Sequence, residues 1–187
     1  MRQVSVSVFI SAPREQVYDF VADLAGRPAY TDHYLKDYRL ARAKAQGKGA
    51  AARFLLETPL ANERGEIEIK EADRPRRIVE EGRVGRLGRS RLVAVYEFVP
   101  EPGGTRVELT TLSDPATVVD RMKQAGVHRW TRRQTKTALE RLRMIFEEPP
   151  EGELARVTVA GYDAAKSPRF GAPVGSNPSR PQSPSGR

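Results

Sequence analysis

Residues 127–147 read VHRWTRRQTKTALERLRMIFE, from Val127 to Glu147. Advanced by ~100° per residue, Val127, Thr131, Thr135, Ala138, Leu142 and Ile145 fall on one face, with Leu139 and Phe146 beside it. Arg129, Arg132, Arg133, Lys136 and Arg143 project from the opposite face. The spacing predicts a long helix with one apolar stripe, and such a stripe must be buried against another layer. Upstream, Val118, Val119 and Met122 share a face well over ~90° around from that stripe. One straight helix would not bury both, so a break is expected near Ala125-Gly126, because glycine is a poor mid-helix residue. Asp114-Pro115 opens the region.

The layer for this helix is supplied by what precedes it. Val4, Val6, Val8 and Ile10 alternate with Ser5, Ser7 and Phe9, the pattern of a half-buried strand. Ser11 then offers a helix N-cap and Pro13 a first-turn residue. Val17, Phe20, Val21 and Leu24 follow at helical spacing, until Gly26 and Pro28 stop the helix. The aromatic segment from Tyr30 to Tyr34 predicts one more helical turn. Strand signals then come in series: Tyr38–Ala43, Ala50–Thr58, Glu66–Lys70, Ile78–Val84, Leu92–Phe98 and Thr105–Thr111. Pro59, Arg74-Pro75 and Pro102-Gly103-Gly104 punctuate them. The expected fold is α+β: a curved, meandering antiparallel sheet of about seven strands wrapped around a long C-terminal helix, with two short helices after the first strand. A sheet curled around such a helix encloses a cavity wherever the helix packs loosely.

Composition narrows the chemistry. The chain has 187 residues, 32 Lys+Arg against 24 Asp+Glu, a net charge of +8, no cysteine and two histidines. That length points to one domain with a tail. Without cysteine, disulfides, thiolate nucleophiles and Cys-ligated metals are excluded. His33 and His128 leave little for a histidine metal site, and no cofactor is expected. No apolar run approaches the ~18 residues of a membrane span, and the alternating N-terminus is unlike a signal peptide. The expectation is a cytoplasmic protein, and the weight of Arg and Ala suggests a high-GC bacterium. The folded domain should cover residues 1–147. Pro149-Pro150 ends the last helix. Residues 148–187 read as a tail, with Leu154–Ala160 as linker rather than strand. Its last 21 residues, with five Ser, five Pro and three Gly, are expected to be disordered.

Five stretches carry a resemblance: Val6–Pro13, Gln16–Asp23, Glu71–Ile78, Tyr96-Glu97-Phe98 and Gly103–Leu109. In that order and spacing, and with the arginine-rich last helix, the chain resembles the SRPBCC superfamily over residues 1–147. This is the START-like, birch-pollen-allergen-like helix-grip fold, and the similarity is greatest to its bacterial polyketide cyclase/dehydratase-like branch. The chain departs from that pattern after the first helix, where Tyr30 and Tyr34 stand in a region that often holds a Trp. The resemblance implies a cavity for a lipophilic small molecule. It implies no particular chemistry, since the superfamily has no universal catalytic signature.

Candidate ligand-binding residues follow from which side chains face inward. Thr131, Gln134 and Thr135 lie on or near the apolar stripe of the last helix. They either meet ligand or water in a cavity, or the threonines bond back to the helix backbone with Gln134 at the edge. Trp130, the only tryptophan, borders the same stretch; it either walls a pocket with Tyr96 and Phe98 or packs in the core. Ile67 and Ile69 alternate with solvent-facing Glu66 and Glu68. Glu80 shares its parity with Ile78 and Val84, so an inward carboxylate with an arginine partner would make a polar anchor. Tyr30, Tyr34 and Val127 complete the set. Asp32-His33-Tyr34 gathers an acid, an imidazole and a phenol, but no nucleophile is evidently paired with them, and a solvent-facing loop is expected. No catalytic residue and no metal ligand is assigned.

Three functions remain open on these residues. The first is a carrier or sensor that binds a small hydrophobic molecule, lipid- or polyketide-like, between sheet and helix. The second is a polyketide cyclase/dehydratase-like enzyme in which Tyr30, Tyr34, His33 or Glu80 moves a proton. The third is an interaction module that docks a weak anionic partner, nucleic acid or a membrane surface, on the basic helix face. Residues 121–143 hold eight basic side chains and one acidic one.

Overall fold

The computed structural model describes residues 2–59, 61–85, 88–114, 118–154 and 156–159. The chain begins with β1 (Arg2–Ile10), α1 (Arg14–Ala22) and α2 (Pro28–Thr31). Then come β2 (Leu35–Leu40), β3 (Ala51–Glu57), β4 (Asn62–Asp73), β5 (Arg77–Val84), β6 (Ser90–Glu101) and β7 (Gly104–Asp114), before α3 (Val118–Glu147). The seven strands form one sheet in the order β1-β7-β6-β5-β4-β3-β2. Every pairing is antiparallel. Successive strands from β2 to β7 pair as hairpins, and β1 closes the far edge against β7. This is the helix-grip architecture that the strand spacing and the C-terminal stripe predict.

The stripe of α3 is seated as expected. Thr135, Ala138, Leu139 and Leu142 are buried, and Ile145 and Phe146 pack partly buried against the core. The expected break at Ala125-Gly126 is absent: α3 runs unbroken for 30 residues. One interior glycine costs only about 1 kcal/mol, too little to end a helix of that length. The side chains of residues 118–127 lie outside the described set.

Two further expectations are corrected. Ser11 does not cap α1. Pro13 holds the N-cap position with no side-chain cap bond, and the Ser11 hydroxyl donates instead to Glu147 Oε1 at 3.3 Å, at the end of α3. β2 begins at Leu35 rather than Tyr38. Asp37 adopts φ 48° and the β2–β3 register shifts between Lys36 and Arg39, so a bulge hides the strand's start from any period-2 pattern.

The stretch read as linker docks on the domain. Leu40 N donates to Thr158 O at 3.1 Å and Val157 N to Ala25 O at 3.0 Å. Val157 and Val159 pack against the core, while Arg156 pairs at 2.6 Å with the buried Asp23. β2 is a sheet edge, and an edge offers unpaired backbone groups to any extended segment with apolar side chains at alternate positions. Residues 160–187 lie outside the described residues. Among the described residues, no helix is long and apolar enough to cross a membrane.

Candidate functional site

α3 packs along β1 and against α2. Between α3 and the middle of the sheet lies a cavity of about 230 Å³. Its wall is mostly apolar, with Leu35, Phe54, Leu56, Ile67, Ala94 and Leu109 from the strands. α3 contributes Trp130, Thr131, Gln134 and Thr135.

A buried polar cluster interrupts that wall, and Glu63, Arg91 and His128 lie elsewhere in the lining. Arg27 sits on the turn before α2, and its guanidinium lies against Glu80 of β5. Both are almost wholly buried, at 3% and 2% exposure. Arg27 Nη2 donates to Glu80 Oε1 at 2.5 Å and Nη1 to Oε2 at 3.3 Å. Nη1 also donates to Tyr96 Oη at 2.9 Å, and Nη2 to the Val21 carbonyl at 3.0 Å. The guanidinium lies 5.2 Å from the Tyr96 ring centroid and 5.7 Å from that of Tyr30. A buried ion is tolerated only when it is paired and hydrogen-bonded, and this pair is both. Burial opposes the charge on Arg27, yet Glu80 and the surrounding phenol oxygens hold the guanidinium protonated.

The phenols around this pair are held neutral. Burial, the dominant cause, raises Tyr30, Tyr38 and Tyr96 well above the ordinary tyrosine range, against the lowering effect of Arg27. Tyr34 is pushed up to about 12 by the same cause. Tyr96 Oη accepts from Arg27 and its hydroxyl also engages the Tyr30 phenol. The cluster as a whole carries no net charge, and it sets the Tyr96 phenol beside the apolar wall.

Most of the side chains picked from sequence meet here. Tyr34, Ile67, Glu80, Tyr96, Trp130, Thr131, Gln134 and Thr135 all line the cavity. Both readings of the threonines hold together, since Thr135 Oγ1 donates back to Thr131 O at 2.8 Å while both residues line the cavity. Trp130 walls the cavity, but its aromatic neighbour is Tyr34, edge-on at 6.3 Å, rather than Tyr96 or Phe98. Phe98 packs edge-on against Tyr18 at 5.3 Å. Phe98, Tyr30 and Ile69 are buried in the core and do not line the cavity. The side chain of Val127 lies outside the described set.

The segment expected as a solvent-facing loop is only partly so. Asp32 is exposed and His33 half-buried. Arg141 of α3 pairs with Asp32 and lies 3.0 Å from His33 Nδ1. His33 Nε2 lies 3.2 Å from the Gln134 carbonyl. An arginine can only donate, so Nδ1 accepts and the proton sits on Nε2. Burial, aided by Arg141, lowers the His33 pKa against the opposing effects of the Gln134 carbonyl and Asp32. This trio clasps α2 to α3 at the cavity's side.

The sequence reading missed Arg27. Its signal was the single basic residue inside the otherwise apolar run Leu24–Tyr30, which an inward Glu80 required as counter-ion.

A family model described as polyketide cyclase / dehydrase and lipid transport matches residues 1–147. No curated protein matches the chain. Among solved structures, the chain is similar to the TTHA0849 protein of Thermus thermophilus, at 21% identity and TM-score 0.62, over 76% of this chain and 94% of that one. It is also similar to the KanY protein solved in solution, at 22% identity and TM-score 0.64, over 78% and 97% respectively. The DR_A0006 protein of Deinococcus radiodurans matches at 23% identity and TM-score 0.53, over 77% and 96%. At these identities the structures share the fold.

Proposed function

The chain belongs to the polyketide cyclase / dehydrase and lipid transport family, and from that premise we propose that it binds one small hydrophobic molecule between the sheet and α3, as a carrier or sensor. The observation that carries this reading is the cavity itself: a mostly apolar wall with a buried, charge-neutral cluster of Arg27, Glu80 and Tyr96 set into it. Apolar burial supplies the affinity and a few placed polar groups supply the orientation. At about 230 Å³ the cavity is smaller than the roughly 300–1,000 Å³ of sites for drug-sized ligands. It suits a bicyclic ring system or a medium acyl chain.

A second reading, a cyclase-like enzyme, is favoured by one observation. Glu80, Tyr34 and Tyr96 converge with Thr131, Gln134 and Thr135 on one cavity. Tyr96, held by Arg27, is then the proton donor, and folding a reactive chain against it supplies most of the effect.

Trp130 lines the cavity and is the only tryptophan of the chain, so its emission reports occupancy. Native mass spectrometry of freshly purified protein, followed by titration with 1-tetralone and 2-decanone, tests the proposal. A stoichiometric bound molecule, or saturable 1:1 quenching of Trp130, is the expected result. A clean apo mass together with unchanged Trp130 emission overturns it.

A further inference from the structure

The outer face of the sheet carries a feature that ligand binding in the cavity does not use. The strand registers align one transverse row of side chains: Arg39 opposite Arg53, Arg53 opposite Glu66, Glu66 opposite Arg83, and Arg83 opposite Arg91. All five are exposed. With strands ~4.8 Å apart, the row runs about 19 Å from β2 to β6.

Like charges directly opposite one another on a sheet are destabilising, and this row holds two such pairs. Within each pair, one arginine is compensated. Arg53 Nε donates to Glu66 Oε2 at 2.9 Å, and Arg91 Nη2 to Glu81 Oε1 at 3.0 Å. The other members, Arg39 and Arg83, have no ion-pair partner among the described residues. Glu66 faces both Arg53 and Arg83 in register and turns to Arg53. The row crosses an open trough of about 1460 Å³, which Arg64, Lys70 and Arg89 also line together with Asp37, Glu68 and Glu81, so that seven basic side chains face four acidic ones. Two opposed arginine pairs across a recessed groove leave an excess of positive charge that a bound polyanion would neutralise.

We infer that this trough is a docking site for the phosphodiester backbone of single-stranded nucleic acid, laid across the strands from β2 to β6. A flexible strand can follow a recessed row of guanidinium groups, whereas a planar membrane surface cannot reach along it. The aromatic side chain in the trough's lining, Phe54, is buried and offers no face for base stacking, so contact is to phosphate and independent of sequence. The site differs from the α3 face in both element and side of the sheet.

The test is fluorescence anisotropy of a labelled 20-nucleotide oligothymidylate with the full chain, at 50 and 200 mM salt. Three to four phosphate contacts predict an affinity loss of roughly 20- to 50-fold between the two salts. The double variant Arg39→Gln/Arg83→Gln should bind at least ~10-fold more weakly at 50 mM and show a salt slope shallower by about 1.4. Its melting temperature should be equal to or above that of the unaltered chain, because both like-charge pairs are gone. The inference is overturned by any of four results: no binding at 50 mM, unchanged binding by the double variant, a lower melting temperature for it, or loss of binding only in Arg132→Gln/Arg133→Gln on α3. Co-sedimentation with phosphatidylserine vesicles in the absence of oligonucleotide binding also overturns it, in favour of a membrane.

Discussion

Removing one partner of the Arg27–Glu80 pair should cost far more than removing both. Arg27 is 3% and Glu80 2% exposed, so Glu80→Leu leaves a guanidinium buried without a counter-charge. Breaking such a pair costs about 3–5 kcal/mol, a large share of the roughly 5–15 kcal/mol that holds a domain of this size. Arg27→Met strands the carboxylate and should cost a similar amount. The double variant Arg27→Met/Glu80→Leu buries no charge. It forfeits the bonds from Arg27 to the Val21 carbonyl and to Tyr96 Oη and the guanidinium contacts with the Tyr30 and Tyr96 rings, so its loss should be about 2–3 kcal/mol. The two single losses then overshoot the double by several kcal/mol. Urea unfolding at pH 7, followed by far-ultraviolet circular dichroism and by Trp130 emission, measures all four proteins, provided the denaturant slope stays constant across them. Single losses under about 1 kcal/mol, or a double loss equal to the sum of the singles, would refute the electrostatic account of the cluster.

Leu142 is fully buried under the sheet, and Leu142→Ala should cost about 2–5 kcal/mol in the same unfolding assay; a loss below ~0.5 kcal/mol would show that α3 is seated differently. Tyr30, Tyr38 and Tyr96 ionise only at pH values raised by burial. The folded state therefore binds more protons than the unfolded one above about pH 10, and stability falls as pH rises through that range. The loss is about 1.4 kcal/mol per tyrosine per pH unit. Absorbance at about 295 nm should show these tyrosines titrating together with unfolding, and independent titration near pH 10 would contradict their burial. His33 has the opposite sense: its pKa is lowered by burial, so the unfolded chain takes up a proton first as pH drops below about 6.5, and stability declines from there towards the depressed value. His33→Gln should flatten that acid limb of the unfolding profile, and an unchanged limb would remove the burial of His33 as its cause.

The fold was legible because its two periods are clean. Val4 to Ile10 alternates without interruption, and Ala138, Leu139 and Leu142 recur at helical spacing, so both elements and their buried faces could be read directly. Where the sequence misled, a local event broke the period. Asp37 at φ 48° and the bulge beside it displaced the start of β2. Gly126 suggested a break whose cost the long helix absorbs. The cavity wall was legible to the extent that parity fixes direction, which is why Glu80 and Ile67 were placed inward correctly.

Direction does not fix depth. Ile69 and Phe98 point inward as expected and are buried beyond the cavity. Whether an inward side chain lines a void or fills it depends on neighbours from other strands. Partnership is harder still. Arg27 and Glu80 lie 53 residues apart, and only the closing of the sheet against α2 brings them together. The same limit hid the arginine row on the outer face. Parity alone puts Arg53, Glu66, Arg83 and Arg91 outside, but their alignment follows from four registers set by separate hairpin turns and by the bulge at Lys36/Arg39. A shift of one residue in any of these pairings would turn a strand's outward set inward, and a shift of two would separate the like charges. The opposed arginines are therefore a property of the assembled sheet: the apolar inner face excludes a one-residue slip, and the hairpin turns set which of the remaining registers is adopted.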